Sequence, residues 1–176
     1  MISELELHIH YKTKIERVTT AMETLNYSKV EKEAIDFITR NNKMVLATCS
    51  ENRVTARTIS IVNQGMKIYF QTDIEFLKYR QIKENTNVAL CQGNIQIEGK
   101  AKITGHPFEN PYFIENYQNQ HKTAFEKYSH LKDNVIIEIE PNLITFWKYT
   151  EADRKPYRDF LNVKEQKAYR EYYQKR

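Results

Sequence analysis

The chain has 176 residues, of which 40% are hydrophobic, and it contains only four Gly and four Pro. This length suits one domain with a terminal addition, and the composition excludes a disordered or linker-rich chain. The formal net charge of +4 is uneven, because residues 154–176 hold eight Lys or Arg against three Asp or Glu. No run of about 18 apolar residues is present, so we expect no membrane-spanning helix.

The N-terminus and the cysteines favour the cytoplasm. Residues 1–6 lack the basic and then apolar order of a signal peptide. Cys49 and Cys91 both lie in apolar runs, which we interpret as small buried residues in a reducing compartment rather than a disulfide framework. A catalytic thiol is the alternative interpretation.

Apolar spacing predicts two helices at the start of the chain. One apolar stripe recurs every three or four positions, at Ile15, Val18, Met22 and Leu25. It predicts a helix over residues 4–25. Residues 28–31 match a capping box, so a second helix is expected from there to about Asn41, with Ile35 and Ile38 facing the core.

After Asn42 the pattern becomes typical of strands. They are expected at Met44–Ser50, Val54–Val62, Met66–Thr72, Val88–Gln92, Ile95–Thr104, Val135–Glu140 and Leu143–Tyr149, the last two broken at Pro141-Asn142. Short links suggest that the first three form an antiparallel meander. Helices are expected at 74–85, at 108–130 and from about Asn162. The pattern predicts an α+β fold, mainly antiparallel β, with about six strands in a closed or nearly closed barrel.

Several kinds of site are excluded by missing motifs. The five His show no His-x-x-x-His spacing and no Cys pair accompanies them, so we expect no metal site. Neither Gly-x-Gly-x-x-Gly nor a P-loop occurs, which leaves a Rossmann or nucleoside-triphosphate site unsupported. No Gly-x-Ser-x-Gly nucleophile elbow is present.

One pair of strands carries an unusual set of polar residues. Arg57, Thr58 and Ser60 place a cation and two hydroxyls on one strand, and Gln71-Thr72 ends the next. Lys78 follows six residues later in a predicted helix. An arginine fork and a lysine near a strand end suit a phosphate monoester. Strand backbone and amide groups can read a flat ring with polar edges.

The order and spacing of these residues resemble the pyridoxamine 5′-phosphate oxidase family, the FMN-binding split barrels. The similar segments are Arg57–Ser60, Tyr69–Thr72, Lys78, Gln81–Asn85, Asn94–Ala101 and Phe146-Trp147. Together they place the resemblance over about residues 28–150. It implies a split β-barrel, an FMN cofactor, and a homodimer with the flavin at the subunit interface.

The resemblance also implies roles for individual residues. Six consecutive residues are expected to line the flavin ring and phosphate: Arg57, Thr58, Ile59, Ser60, Ile61 and Val62. Gln71 and Thr72 are expected near the ring or phosphate, and Lys78 on the phosphate. Asn94 occupies the position of a ring-contacting Gln that can come from the partner subunit, and Trp147 would pack at the flavin edge. The plain alternatives are surface ion pairs for the two cations, ordinary strand positions for Thr58 and Ser60, and a core position for the tryptophan.

The chain departs from the family pattern after Trp147. The oxidases carry Arg-Leu-His-Asp-Arg there, and those side chains hold the vitamer substrate. Residues 148–158 lack the His and shift the basic residues, and the family's Asn-Pro is Asn85-Thr86 here. We therefore expect FMN binding without efficient oxidation of pyridoxamine 5′-phosphate.

The sequence thus predicts an FMN-dependent oxidoreductase that acts on a small molecule it does not identify, and no catalytic residue is assigned. Two alternatives stay open: a flavin-binding protein without turnover, and a basic module that contacts nucleic acid. Asp159, Glu165 and Glu171 interrupt the basic residues, so we expect no nucleic-acid partner. The expected organisation is a helical extension at 1–27, the FMN-binding domain at 28–150 and a basic helical tail at 151–176 packed on it.

Overall fold

Ten strands and four α-helices make up residues 22–173, the part of the chain that this computed structural model describes. The strands are β1 Met22–Leu25, β2 Lys43–Ser50, β3 Arg53–Ser60, β4 Val62–Gln64, β5 Lys67–Asp73, β6 Asn87–Gln92, β7 Ile95–Gly105, β8 Asn134–Tyr149, β9 Pro156–Asn162 and β10 Lys167–Tyr172. The helices are α1 Tyr27–Arg40, α2 Leu77–Glu84, α3 Pro111–Gln120 and α4 Lys122–Tyr128, with a 3₁₀ turn at Pro107–Glu109.

Antiparallel ladders arrange these strands as a split barrel. The pairings run from β3 to β2, β6, β7, β8 and β5, and β5 pairs in turn with β4. Strand β4 continues the path of β3 after a break at Ile61, so counting them as one gives a ring of six. The predicted fold class, mainly antiparallel β with a split barrel, is confirmed.

Alternation of apolar and polar residues explains why these segments fold as strands around one core. In β7, Ile95, Ile97 and Ala101 are buried, and Gln96 and Lys100 between them are exposed. Successive side chains in a strand point to opposite faces, so this pattern buries one face and solvates the other.

Helix α1 was predicted, but its start and buried face differ from the prediction. Its N-cap is Asn26, whose side chain accepts a hydrogen bond of 2.9 Å from the Lys29 amide, so the predicted cap at Ser28 is wrong by two residues. Asn serves as an N-cap as well as Ser does. The buried positions are Val30, Ala34 and Ile38, and Ile35 is only half-buried.

The predicted three-stranded meander is wrong in one pairing. Strand β2 pairs with β3 through a turn at Glu51 and Asn52, which both have positive φ, as a two-residue hairpin requires. Strand β5, however, pairs with β4 and β8 and not with β3. The strand is interrupted at Ile61, whose amide donates to the Asn42 carbonyl. After this interruption β4, and not β3, forms the hairpin with β5.

Strand β8 runs unbroken through Pro141, where a break was predicted. The register with β7 shifts between Glu98 and Gly99, and it skips Asn142. A proline is tolerated at such a bulge because the bulged strand does not need its missing N–H. Gly99 is required there, since a Cβ at this position would lie 2.5 Å from the Glu140 carbonyl oxygen.

The tail predicted as a helix is instead a hairpin of β9 and β10, which extends the sheet from the second half of β8. Two cross-strand pairs fix it: the rings of Phe160 and Tyr169 stack at 4.8 Å, and Asp159 pairs with Arg170. Such pairs stabilise a sheet but leave no helical or strand period in the sequence.

The end of the predicted helix at 4–25 is also wrong. Met22–Leu25 form β1, which pairs with β10 at the edge of the sheet. Residues 4–21 of that prediction lie outside the described residues.

The interpretation of both cysteines as buried is wrong too. Cys49 is half-buried and Cys91 is exposed, and both are unpaired thiols. Within residues 22–173, no helix has the length and apolar character needed to cross a bilayer.

Candidate functional site

The largest concentration of predicted site residues lines a cavity of about 450 Å³ between the barrel and the α3–α4 helices. Strands β3 and β5, the start of α2, helices α3 and α4 and the start of β8 all contribute. Its lining consists of Thr58, Ile59, Ser60, Gln71, Thr72, Asp73, Phe76, Lys78, Tyr117, Ala124, Tyr128, Leu131 and Asn134. This volume is in the range of small-molecule sites.

Lys78 supplies the positive charge of the cavity. It lies in the first turn of α2, half-buried, with its ammonium 4.4 Å from the centre of the Phe76 ring. Burial lowers the pKa of Lys78, the charge of Arg57 lowers it further, and Asp73 partly offsets both. Among the described residues, no carboxylate forms an ion pair with it. An anion in the cavity would therefore meet a cation whose charge is only partly offset by Asp73.

Arg57 is not among the residues that line the cavity, but it is adjacent in β3 to Thr58 of the lining, and its charge acts on Lys78. Its guanidinium donates to the Thr48 hydroxyl at 2.7 Å, to the Thr55 hydroxyl and to the Leu46 carbonyl at 3.3 Å. Burial lowers the pKa of Arg57. Three neutral acceptors hold this guanidinium, so its full positive charge is retained near Lys78.

The cavity also presents neutral polar groups. Gln71 accepts a 2.8 Å hydrogen bond from the hydroxyl of Ser129, a fully buried residue. Burial raises the pKa of Tyr117, and its hydrogen bonds with Ser60 and Gln71 partly offset that rise. Thr72 is buried at the end of β5. These residues therefore offer hydroxyl and amide groups of fixed direction.

Ile61 and Val62 do not line the cavity and are instead buried in the apolar core. Both are 1% exposed. Ile61 belongs to the main core, and its carbonyl accepts a 2.9 Å hydrogen bond from Nε2 of His121. Val62 packs with Phe113 and Tyr117 in a second apolar cluster. These contacts fix helix α3 against the barrel.

Asn94 and Trp147 lie on a separate surface of the chain. The Asn94 side chain donates to the Trp147 carbonyl at 3.0 Å, and the Trp147 amide bonds to the Asn94 carbonyl at 2.9 Å. They line a second cavity of about 430 Å³ that also includes Arg158. Trp147 is 39% exposed and contacts Tyr149 and Tyr173. Its predicted alternative, a plain core position, does not fit this exposure.

The sequence did not identify the residues that helices α3 and α4 and the start of β8 bring to the cavity. Tyr117 and Tyr128 fall in the Tyr-rich segment 108–130, so their aromatic excess was the available signal. Leu131 and Asn134 carried no signal, because they reach the cavity through the long-range pairing of β5 with β8, in which Asn134 lies opposite Asp73.

A family model described as pyridoxamine 5′-phosphate oxidase matches residues 30–148, which is more than half of the chain. The chain belongs to the pyridoxamine 5′-phosphate oxidase family. The match covers the barrel and all residues of the first cavity. A comparison with curated proteins found no match.

Several solved structures of low sequence identity share the fold. A pyridoxamine 5′-phosphate oxidase-related, FMN-binding protein from Nostoc punctiforme is 14% identical, with a TM-score of 0.56 over 84% of this chain and 95% of that one. General Stress Protein 26 from Bacillus anthracis is 21% identical, with a TM-score of 0.54 over 64% and 90%. An FAD-binding protein from Mesorhizobium loti is 12% identical, with a TM-score of 0.53 over 70% and 94%.

Proposed function

We propose that the chain binds FMN in the Lys78 cavity and acts as an FMN-dependent oxidoreductase on a small molecule. The observation that carries this proposal is that the charge of Arg57 acts on Lys78 at the cavity. In the described chain, no carboxylate forms an ion pair with either cation. Two such cations favour a ligand with a phosphate monoester. FMN carries this group, and FMN binding by the Nostoc protein supports the choice, while FAD binding by the Mesorhizobium protein supports a flavin in general.

The residues present fit such a ligand. Lys78 and Arg57 would hold the phosphate, and Thr58, Ser60 and Gln71 would hydrogen-bond to the polar edge of the ring. Tyr117 and Tyr128 are among the aromatic and apolar residues that line the rest of the cavity and would exclude water. Asp73 is the one carboxylate in this lining, and its oxygen already accepts the Glu75 amide.

When bound, the flavin supplies the redox chemistry, and the protein positions it and sets its electrostatic surroundings. The positive charges of Lys78 and Arg57 favour negative charge in the cavity. We assign no catalytic acid or base, because the cavity lining contains no imidazole and its carboxylate, Asp73, already accepts a hydrogen bond from the Glu75 amide.

We further propose that the active form is a homodimer with the flavin at the subunit interface. Asn94 and Trp147 line a different cavity from Lys78, so within one protomer they do not meet the proposed phosphate site. A two-fold dimer repeats one surface on both subunits and can bring this pair to the partner's cavity. The exposed Trp147, Tyr149 and Tyr173, with Arg158 alongside, have the composition of an interface centre.

A nucleic-acid partner is not part of the proposal. The basic tail that suggested one is largely neutralised by its own acidic residues. Ion pairs link Lys155 to Asp153, Arg158 to Glu171, Lys167 to Glu165 and Arg170 to Asp159. The free thiols of Cys49 and Cys91 agree with the cytoplasm as the proposed compartment.

The test is to purify the chain, record its visible spectrum and titrate the apoprotein with FMN and riboflavin. We expect a yellow protein with about one FMN per chain that loses its colour when NAD(P)H is added without oxygen. A yellow protein that NAD(P)H does not bleach would favour flavin binding without turnover by this donor. A chain that binds neither flavin would refute the proposal.

A further inference from the structure

Gln81 is a fully buried polar residue of α2 that lines neither cavity, and both its amide oxygen and its amide nitrogen form hydrogen bonds. Its Oε1 accepts from the Thr48 hydroxyl at 2.6 Å and from the Thr55 hydroxyl at 2.7 Å. Its Nε2 donates to the Arg53 carbonyl at 2.7 Å. A single side chain thus joins helix α2 to strands β2 and β3.

The donors and acceptors allow only one direction for each of these hydrogen bonds. Arg57 can only donate, so the hydroxyls of Thr48 and Thr55 must accept from it. Each hydroxyl has one hydrogen, which must then point to the Oε1 of Gln81. Rotating the amide by half a turn would face the Arg53 carbonyl with another oxygen and remove both acceptors. The amide orientation therefore determines the orientation of both hydroxyls.

This network leaves part of the guanidinium available. Thr48, Thr55 and Leu46 occupy three N–H groups of Arg57, while its Nε–H and one Nη2–H have no partner in the described chain. Two N–H groups in a fixed plane can engage two oxygens of a phosphate. Holding them in place before binding reduces the entropy lost when the ligand arrives.

We propose that Gln81 is a positioning residue for the phosphate of the ligand, which it fixes by orienting Thr48 and Thr55 around Arg57. This inference rests on the proposed function, because it takes the FMN phosphate as the group that Arg57 meets. Gln81 itself does not touch the ligand. Its effect should therefore depend on the phosphate and on Arg57, which a purely structural role would not.

The test is to measure the dissociation constants of FMN and of riboflavin for the full chain and its variants by flavin fluorescence. Gln81→Met keeps the size of the side chain and removes the acceptor, and we expect it to weaken FMN by about three- to tenfold. Riboflavin affinity should change by less than about twofold.

Two comparisons separate positioning from general loss of stability. Ile38→Val is the matched control, because it shortens a buried side chain in α1 that does not line the cavity. It should leave both flavin affinities unchanged. In an Arg57→Ala background, Gln81→Met should cause no further loss of FMN. If Gln81→Met does not fold, Thr55→Val tests the same network by removing the half-buried hydroxyl of Thr55. This variant should also lose more affinity for FMN than for riboflavin.

The outcomes distinguish this inference from the proposed function. Equal losses for FMN and riboflavin, an undiminished loss in the Arg57→Ala background, or no loss at all would overturn the role of Gln81 alone. If the native chain binds FMN no better than riboflavin, the phosphate site itself is wrong and both proposals fall.

Discussion

The charge of Arg57 acts on Lys78, which burial has already made harder to protonate, and in the described chain no carboxylate pairs with either cation. Bringing two such charges together costs free energy unless an anion is bound between or beside them. Surface lysines commonly avoid this cost by facing solvent. The arrangement is therefore typical of an anion site.

Removing Lys78 should weaken FMN but not riboflavin. We expect Lys78→Met to raise the FMN dissociation constant by about ten- to a hundredfold, the effect of one lost charge-assisted contact. Arg57→Ala should act similarly. Lys83→Met is the matched control, since Lys83 is an exposed lysine in the last turn of the same helix. A titration in which both flavins weaken equally would contradict a phosphate role.

The same lysine should make FMN binding pH-dependent. The pKa of free Lys78 lies below the ordinary lysine value of 10.5, because burial and Arg57 both disfavour its charge. FMN affinity should therefore begin to fall at a lower pH than an ordinary lysine would cause. The pH dependence should disappear in Lys78→Met. Titrations at increasing alkaline pH measure both, and a native affinity that stays constant up to the ordinary lysine value would contradict the role of Lys78.

Trp147 should report on a flavin held by the partner subunit. It is the only tryptophan of the chain, so FMN binding should quench the tryptophan emission of the native protein. Light scattering should show a dimer. A mixture of Trp147→Phe and Lys78→Met chains should recover quenching that neither shows alone at low FMN, because a mixed dimer combines an intact cavity with a partner tryptophan. A monomer that retains flavin would refute the dimer.

The C-terminal hairpin should depend on Asp159. This carboxylate is 1% exposed and accepts two hydrogen bonds from Arg170 and one from Lys148, which also pairs with Glu33. Replacing one partner of a buried ion pair leaves uncompensated charge, so Asp159→Asn should cost about 3 kcal/mol of unfolding free energy. Asp36→Asn, at an exposed pair with Lys32, should cost about 0.5 kcal/mol or less. Urea unfolding compares them.

Acid should reduce the difference between native and Asp159→Asn chains. Burial raises the pKa of Asp159, but the hydrogen bonds from Arg170 and Lys148 outweigh it and hold the pKa below the ordinary value of 3.8. A depressed pKa contributes stability that is present above the unfolded value and is lost as pH falls through the folded one. The stability difference should persist at neutral pH and shrink below about pH 4. A difference that is independent of pH would contradict this account.

The contrast between β7 and the tail shows what the sequence alone can predict. In β7 the alternation of Ile95, Gln96 and Ile97 reports a buried face directly, so the strand was predicted with nearly correct ends. In β9 and β10 the stabilising pairs join Phe160 to Tyr169 and Asp159 to Arg170. Their effect depends on a register that no local pattern encodes, and the segment was mistaken for a polar helix.

The same distinction applies to the site. Thr58, Gln71 and Lys78 were predicted because their order and spacing along the chain resemble those of the family, and the structure brings all three to one cavity. Leu131 and Asn134 approach the same cavity through long-range pairing of β5 with β8, and nothing in their own neighbourhood predicts it. The role of Gln81 was also missed, since its hydrogen bonds reach residues 26 and 33 positions away.

Gly99 should tolerate no side chain. A Cβ there would lie 2.5 Å from the Glu140 carbonyl oxygen, which belongs to β8 and cannot rotate away. Gly99→Ala should therefore cost about 1–3 kcal/mol of unfolding free energy through overpacking. Gly65→Asn is the control, because Gly65 has φ +60° with nothing within 4 Å and Asn accepts this conformation. Equal stability of the two variants would contradict the steric account.

Finally, the chain should be a poor oxidase of pyridoxamine 5′-phosphate. The basic residues that follow Trp147 are engaged elsewhere: Lys148 pairs with Glu33 and Asp159, and Arg158 pairs with Glu171. A buried polar substrate left without its matched partners can lose on the order of 10⁴ in rate. With FMN bound, we expect oxygen uptake with pyridoxamine and pyridoxine 5′-phosphates to remain far below the turnover of about one per second that is ordinary for enzymes.

The control for this assay is reduction of the same preparation by NAD(P)H without oxygen. If that donor bleaches the flavin while the vitamers do not, the cofactor is competent and the missing substrate contacts explain the failure. Turnover of either vitamer near one per second or faster would contradict the prediction. It would also require that other residues near the cavity, such as Tyr128 or Asn134, hold the vitamer in place of the absent histidine.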